Sequence, residues 1–267
     1  MTDVDLVGVF PFGQPVLHVL QKDRTPKRVF VLGVYASAVH ARWIGADKKQ
    51  RVQALAVASE PSIFWTGDGA EDIIKAIKLP EGVGTLEPAS EKFNGPSGKA
   101  LDDLILAPLK LTRAHVWLCD LVPHSCINAN QKRAIEKKYA PIATQRGLPP
   151  ASVPELPKVL ADEARRAAIV KEIEESQADV LILLGDLPIR HFLWHFDKSK
   201  RRLADFGTDV SAYGRRYKVR IGERLIDVVP VVHPRQAGRL GASSKRWYEV
   251  HQEWMKVCTT TDGLRLT

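Results

Sequence analysis

His233 stands at the end of the apolar run "LIDVVPVVHP", with Pro234 behind it and Arg235, Gln236 and Arg239 close after. A histidine whose direction is fixed by a strand end and a following proline can donate a hydrogen bond to negative charge as it develops. Asp120 lies in "HVWLCDLVP", and Phe93 directly precedes "NGPSGK". An ionised carboxylate only accepts hydrogen bonds, whereas one protonated by burial both donates and accepts. Phe93 offers a flat apolar face. Each has a plainer reading: a lone histidine is more often structural, Asp120 is as well suited to cap a turn near Pro123, and a phenylalanine more often fills core.

The elements that must position these residues read as strands. "RVFVLG", "AHVWLCDLVP", "ADVLILLGDLP" and "LIDVVPVVHP" are continuous apolar runs, each followed by enough chain for a helix. Continuous rather than alternating hydrophobicity marks strands covered on both faces, as in a parallel sheet. The expected fold class is α/β, with a central, mostly parallel four-stranded sheet flanked by helices and an extra hairpin turning at Gly222-Glu223 in "RRYKVRIGERLIDVVPV". Helices are expected in "GKALDDLILAPLKL", "KVLADEARRAAIVKEIEES" and "SKRWYEVHQEWMKVC". In the second, Leu160, Ala164, Ala167, Ala168 and Ile173 form the apolar face after a Pro-rich lead-in. "VQALAVASEPSIFW" fits a strand or a helix, and residues 141–157, with five prolines, read as an ordered surface loop. Neither a repeat nor a flexible linker divides the chain, so a single domain over 1–267 is expected, its core at about 27–255.

Such a sheet gathers functional residues at the carboxyl ends of its strands. Those ends deliver Gly33, Val34, Tyr35, Ala36 and Ser37 from the first strand, Asp120 from the second, Gly185 and Asp186 from the third, and His233 from the fourth.

Lys and Arg outnumber Asp and Glu by 39 to 31, a formal charge of +8, which favours a polyanionic partner. Cys119, Cys126 and Cys258 leave an odd thiol and form no C-x-x-C pair, arguing against a disulfide framework and for a reducing compartment. The N-terminal stretch lacks the pattern of a leader, and no run is long enough to span a bilayer, so the cytoplasm is the expected location. "GPSGKA" fails the phosphate-cradling pattern G-x-x-x-x-G-K-[ST]. A metal site from His115, Asp120 and His124 is disfavoured, since His115 and Asp120 fall on opposite faces of a strand.

In sequence order these features resemble the uracil-DNA glycosylase superfamily. "VFVLGVYASAVHARW" sits where the family has a first strand ending in a Gly-initiated turn that holds the catalytic water. "FNGPSGKALDDLI" is similar to the segment whose phenylalanine stacks on the extruded uracil. "HVWLCDLVP" matches the strand ending in a base-reading residue, usually Asn. "VVPVVHPRQAG" resembles the His-Pro motif, and "VLILLGDLP" suits the third strand, so the resemblance covers roughly 27–255. Two departures stand out. Val34 and Tyr35 occupy positions where relatives commonly carry Asp, Glu or Asn, and Asp120 replaces the Asn. With three cysteines, none suitably spaced, the iron–sulfur cluster of some relatives is not expected, and no cofactor is.

The resemblance implies a monofunctional glycosylase, working as a monomer without a membrane, that cleaves uracil from DNA to leave an abasic site and free uracil. By it, His233 stabilises the departing base, Phe93 is the stacking floor, and Asp120 reads the uracil 3-NH. Gly33 and Val34 border the base, and Tyr35 excludes a 5-methyl group. Ser37, His40 and the backbone from Val34 to Ala36 are the candidates for holding water. Arg235, Gln236 and Arg239 meet phosphates or the vacated stack, with Leu240 as a wedge and further phosphate contacts from "KSKRR", "GRRYKVR" and "SKRW". The reading requires Phe93, Asp120 and His233 to converge. Its competitors are a DNA-binding module of the same fold without catalysis, and a glycosylase for hypoxanthine or xanthine.

Overall fold

A computed structural model describes residues 6–240 and 243–260; the first five residues, part of the stretch read for a leader, lie outside them. The strands are β1 (Gly8–Val9), β2 (Pro15–Val16), β3 (Val29–Tyr35), β4 (Ala38–Ile44), β5 (Gln50–Ser59), β6 (Thr85–Pro88), β7 (Val116–Val122), β8 (Val180–Leu184), β9 (Tyr217–Ile221) and β10 (Arg224–Val231). The helices are α1 (Ala70–Lys75), α2 (Pro96–Leu101), α3 (Ala129–Ala134), α4 (Ala140–Arg146), α5 (Glu163–Ser176), α6 (Asp186–His191), α7 (Pro234–Ala237) and α8 (Lys245–Thr260). The chain divides into two compact units. Leu20–Val34, Ser97–Val122 and Val159–Thr267 make one, and Met1–Val19, Tyr35–Pro96 and Pro123–Lys158 the other.

The first unit holds a mostly parallel sheet in the order β7-β3-β8-β10-β9. β3 and β10 both run parallel to β8, with Val29 and Asp227 level with Val180. β9 returns antiparallel to β10 across Gly222, whose φ of 58° suits a tight turn. The sheet therefore has five strands where four are expected, the fifth being the outer arm of the predicted hairpin. Every residue of β7 and β8 is buried, the signature of strands covered on both faces.

The sequence expectation for α5 needs correcting. Asp162, not the prolines, sets its start, accepting the Arg165 N–H at 2.8 Å. Its buried face is Ile169, Glu172, Ile173 and Ser176, while Ala164, Ala167 and Ala168 are exposed. Two charged side chains, Arg165 and Glu172, take inward positions because β7 supplies partners for them. The expected helix from Gly98 is present as a continuous helical run from Pro96 to Leu109, which widens over Asp102–Leu106 and tightens over Ala107–Leu109.

The second unit carries an antiparallel sheet, β5-β4-β6, and the short pair β1-β2. Where a turn was expected after Gly33, β4 continues the chain as a strand from Ala38, and β5 resolves the ambiguous run at 52–65 as a strand through Ser59. The proline-rich 141–157 segment begins instead inside α4, which Gly147 stops at φ 64°. This unit's core includes Phe12, Trp43 and Tyr139. The Tyr139 hydroxyl accepts the Phe12 N–H at 3.0 Å and donates to the Pro149 carbonyl at 2.6 Å. Among the described residues no helix is long and apolar enough to cross a membrane.

Candidate functional site

Asp120 lies within β7 rather than at a turn beyond it, and is 3% exposed. One carboxylate oxygen, Oδ1, is buried with no hydrogen-bond partner among the described residues, and the Val34 N–H donates to the carboxylate from β3. Burial pushes the carboxyl up to about 7, against the attraction of Arg165 and the Val34 hydrogen bond. An unpartnered oxygen in such a place is costly to keep unless something binds it.

Arg165 of α5 holds the end of β7 by its main chain. Its guanidinium donates to the Asp120 carbonyl at 2.6 Å and the Leu121 carbonyl at 3.1 Å, and also reaches Cys119 Sγ and Glu172. Glu172 in turn accepts the Trp117 indole N–H at 3.1 Å. Sequence reasoning missed this clasp. The signal was available only as two charges seven residues apart on one face of an otherwise apolar-seeking helix.

His233 closes β10 and caps α7, with Pro234 at the first helical position. Its Nδ1 accepts the Arg235 N–H at 3.2 Å. Burial, with Arg235 adding to it, moves the imidazole down to about 4. A neutral ring whose Nδ1 accepts carries its proton on Nε2, so His233 presents a donor there. Gly185 lies against the His233 backbone and Cβ: its φ is 86°, and a Cβ there would stand 3.2 Å from the His233 Cβ. The preceding residue is fixed too, since the Val232 N–H donates to the Tyr213 hydroxyl at 2.8 Å. That hydroxyl lies 2.7 Å from His251 Nδ1, and His251 Nε2 lies 2.9 Å from the Leu104 carbonyl. A carbonyl only accepts, so the Nε2 proton goes to Leu104 and the tyrosine donates to Nδ1. Tyr213 and His251 are a second set of residues that the sequence reading passed over.

β3 and β8 lie between β7 and β10. The main chains carrying Asp120 and His233 are thus three strand spacings apart, about 14 Å, which side chains and loops must bridge for one ligand to meet both.

The remaining predicted residues divide between the units. Gly33 does not open a turn: it is buried inside β3 with Val34, and the strand runs on to Tyr35, 42% exposed. In the second unit His40 is a β4 residue. Its Nδ1 is buried without a partner among the described residues, and burial pushes its pKa down to about 4 against the pull of the Ala38 and Phe93 carbonyls. Phe93 is half-buried rather than a core filler, its ring centroid 6.4 Å from that of His40 and 5.3 Å from the Lys92 ammonium. Asn94 beside it accepts the His40 N–H at 2.8 Å and donates to the His40 carbonyl at 2.9 Å, tying the Phe93 segment to β4. The Ser37 carbonyl accepts the Ser125 hydroxyl.

Of the residues after His233, Arg235 and Arg239 are exposed, the latter with its guanidinium 5.2 Å from the Tyr248 ring centroid. Gln236 is engaged internally, bridging the Ser244 N–H and carbonyl at 2.7 and 2.8 Å. Leu240 is half-buried, its N–H bonded to the Arg235 carbonyl. His115 is spent on a local cap, accepting the Thr112 N–H at 3.0 Å, and no group of His, Cys, Asp or Glu among the described residues has the arrangement of a metal site.

No family model matches the chain, and no curated protein matches its sequence. What the fold and the site define is a class: a mixed α/β protein whose mostly parallel sheet carries a buried carboxyl on β7 and an oriented neutral imidazole at the end of β10.

Proposed function

We propose that the protein is a monofunctional DNA glycosylase that releases uracil and leaves an abasic site. The observation that carries the reading is the built state of His233: neutral, capped through Nδ1 and so offering Nε2–H, at the end of a strand whose approach is fixed by Tyr213 and Gly185. In the proposed reaction the bond between C1′ and N1 breaks, and its electron pair leaves with the base. Negative charge spreads to the uracil 2-oxygen, where a preorganised neutral donor is worth about 3–4 kcal/mol by analogy with oxyanion holes. The sugar, left oxocarbenium-like, takes a water at C1′, and the water's proton passes to solvent or to the departed base.

Asp120 has the matching role of reading the base edge. With Val34 donating to the carboxylate, Oδ1 remains to meet the uracil 3-NH, and a protonated carboxyl also donates to the neighbouring carbonyl. The reading assigns Arg235 and Arg239 to phosphates. A net charge of +8 agrees with a DNA partner. No carboxylate stands at Val34 or Tyr35 to activate water. The proposal therefore relies on a dissociative transition state, and predicts a slow enzyme.

That same missing carboxylate favours a second reading, a binding module that recognises uracil-containing DNA without cutting. The deciding experiment is base release from labelled oligonucleotides bearing one uracil, as single strands and in U·G and U·A pairs, with alkali to expose abasic sites. Release that collapses in His233→Ala supports the glycosylase. Binding without release, equal in wild type and variant, supports the module, and release only from hypoxanthine or xanthine substrates moves the activity to another lesion.

A further inference from the structure

The loop after α6 carries an aromatic ring set among cations. Trp194 is half-buried, with the Lys198 ammonium 3.7 Å and the Arg201 guanidinium carbon 5.7 Å from its ring centroid. Arg190, Lys198 and Arg201 are exposed, and none is in an ion pair among the described residues. The nearby acids shape the loop, and Asp205 also pairs with the Arg202 guanidinium. Asp186 accepts the Leu203 N–H at 2.7 Å, Asp197 the Ser199 N–H at 2.9 Å, and Asp205 the Arg201 and Arg202 N–H groups at 2.8 and 3.1 Å. Lys200 is drawn inward to the Asp205 carbonyl. The local field is positive enough to be felt by the neighbouring histidines: after burial, Arg166 and Lys198 push His195 down, and Arg190 does the same to His191.

We propose that Trp194, with Lys198 and Arg201, is a landing platform for single-stranded DNA. A single strand offers what this surface is made for, an unstacked base face at each step with a phosphate on either side. An acidic peptide could meet the cations but has no flat partner for the indole, and a duplex has its base faces already stacked. The flexible Lys198 stem lets its ammonium leave the ring for a phosphate while a base takes its place. The inference rests on DNA being the partner, as proposed above, and is independent of base release.

The probe is a fluorescent oligothymidylate of about 12 nucleotides, within the range of single-strand sites. It contains no uracil, so an inactive protein can still pass the test and an active one can still fail it. Trp194→Ala should weaken binding roughly 5- to 150-fold, and Trp194→Phe, which keeps a ring and guards against a folding artefact, should recover most of it. The double variant Lys198→Ala, Arg201→Ala should flatten the plot of log affinity against log salt by about 1.4, two phosphate contacts' worth for a single strand. Equal binding by wild type and Trp194→Ala would overturn the proposal, as would polyglutamate competing as well as unlabelled oligothymidylate.

Discussion

The two strand ends of the parallel sheet are neutralised in opposite directions. At β7, burial raises a carboxyl to about 7; at β10, burial lowers an imidazole to about 4. Between those values both groups are uncharged, so the rim offers hydrogen bonds without ions. They differ in completeness. His233 has its Nδ1 satisfied, whereas Asp120 Oδ1 has no hydrogen-bond partner among the described residues.

Breaking the support of β7 should have the largest effect. Arg165→Leu leaves Glu172 buried without its cation, and removal of one partner of a buried pair costs about 3–5 kcal/mol. Urea unfolding of the variant measures this, and a loss under about 1 kcal/mol would show that the clasp is dispensable. His233→Ala should lower uracil release about 100- to 1,000-fold, and the lost α7 cap should cost about 0.5–2 kcal/mol in stability. Single-turnover rates and thermal melts read the two effects separately.

Asp120→Asn sharpens the contrast between the ends. A folded carboxyl with a raised pKa holds its proton between about 4 and 7 while the unfolded chain has released it, so stability falls as pH rises through that window and then levels off. Asparagine has no proton to hold, so the variant should gain on the wild type between pH 4 and 8 by up to about 4 kcal/mol. His233 works the other way. As pH drops from 6.5 towards 4 the unfolded imidazole takes up a proton that the folded one refuses, and stability falls with acid. Denaturation followed across pH in Asp120→Asn and in His233→Gln separates the two contributions. Gly185→Ala should cost about 1–3 kcal/mol of stability, read by thermal melts, because φ 86° and ψ −170° suit glycine alone and a Cβ would stand 3.2 Å from the His233 Cβ.

Much of the parallel sheet was legible because its strands are buried on both faces and so read as unbroken apolar runs. The hairpin at Gly222 was equally visible, its turn being local. The second unit was not, since β4 reads "AVHARWI", with histidine and arginine interrupting the apolar residues that face its core. For the candidate site, the sequence placed His233 just past its strand, but it ended the first strand at Gly33 where β3 runs on to Tyr35, and it left the burial of Asp120 open. The supports could not be read from it. Arg165 meets β7 residues 44–46 positions away, and Tyr213 meets His251 38 positions on. Such pairings depend on topology rather than on local pattern, which is also why α5 was rotated towards its alanines: a helix that buries Arg165 and Glu172 defeats an argument from hydrophobic spacing alone.

The most direct test of the account is the single-turnover rate of uracil release from a single-stranded substrate, measured from pH 5 to 9 in wild type, Asp120→Asn and His233→Ala. The account predicts a wild-type plateau that falls as pH rises through about 7, when Asp120 loses the proton that lets it donate. Asp120→Asn should stay flat over that range, and His233→Ala should be slow throughout. No release at any pH, or one common profile for all three proteins, would contradict it.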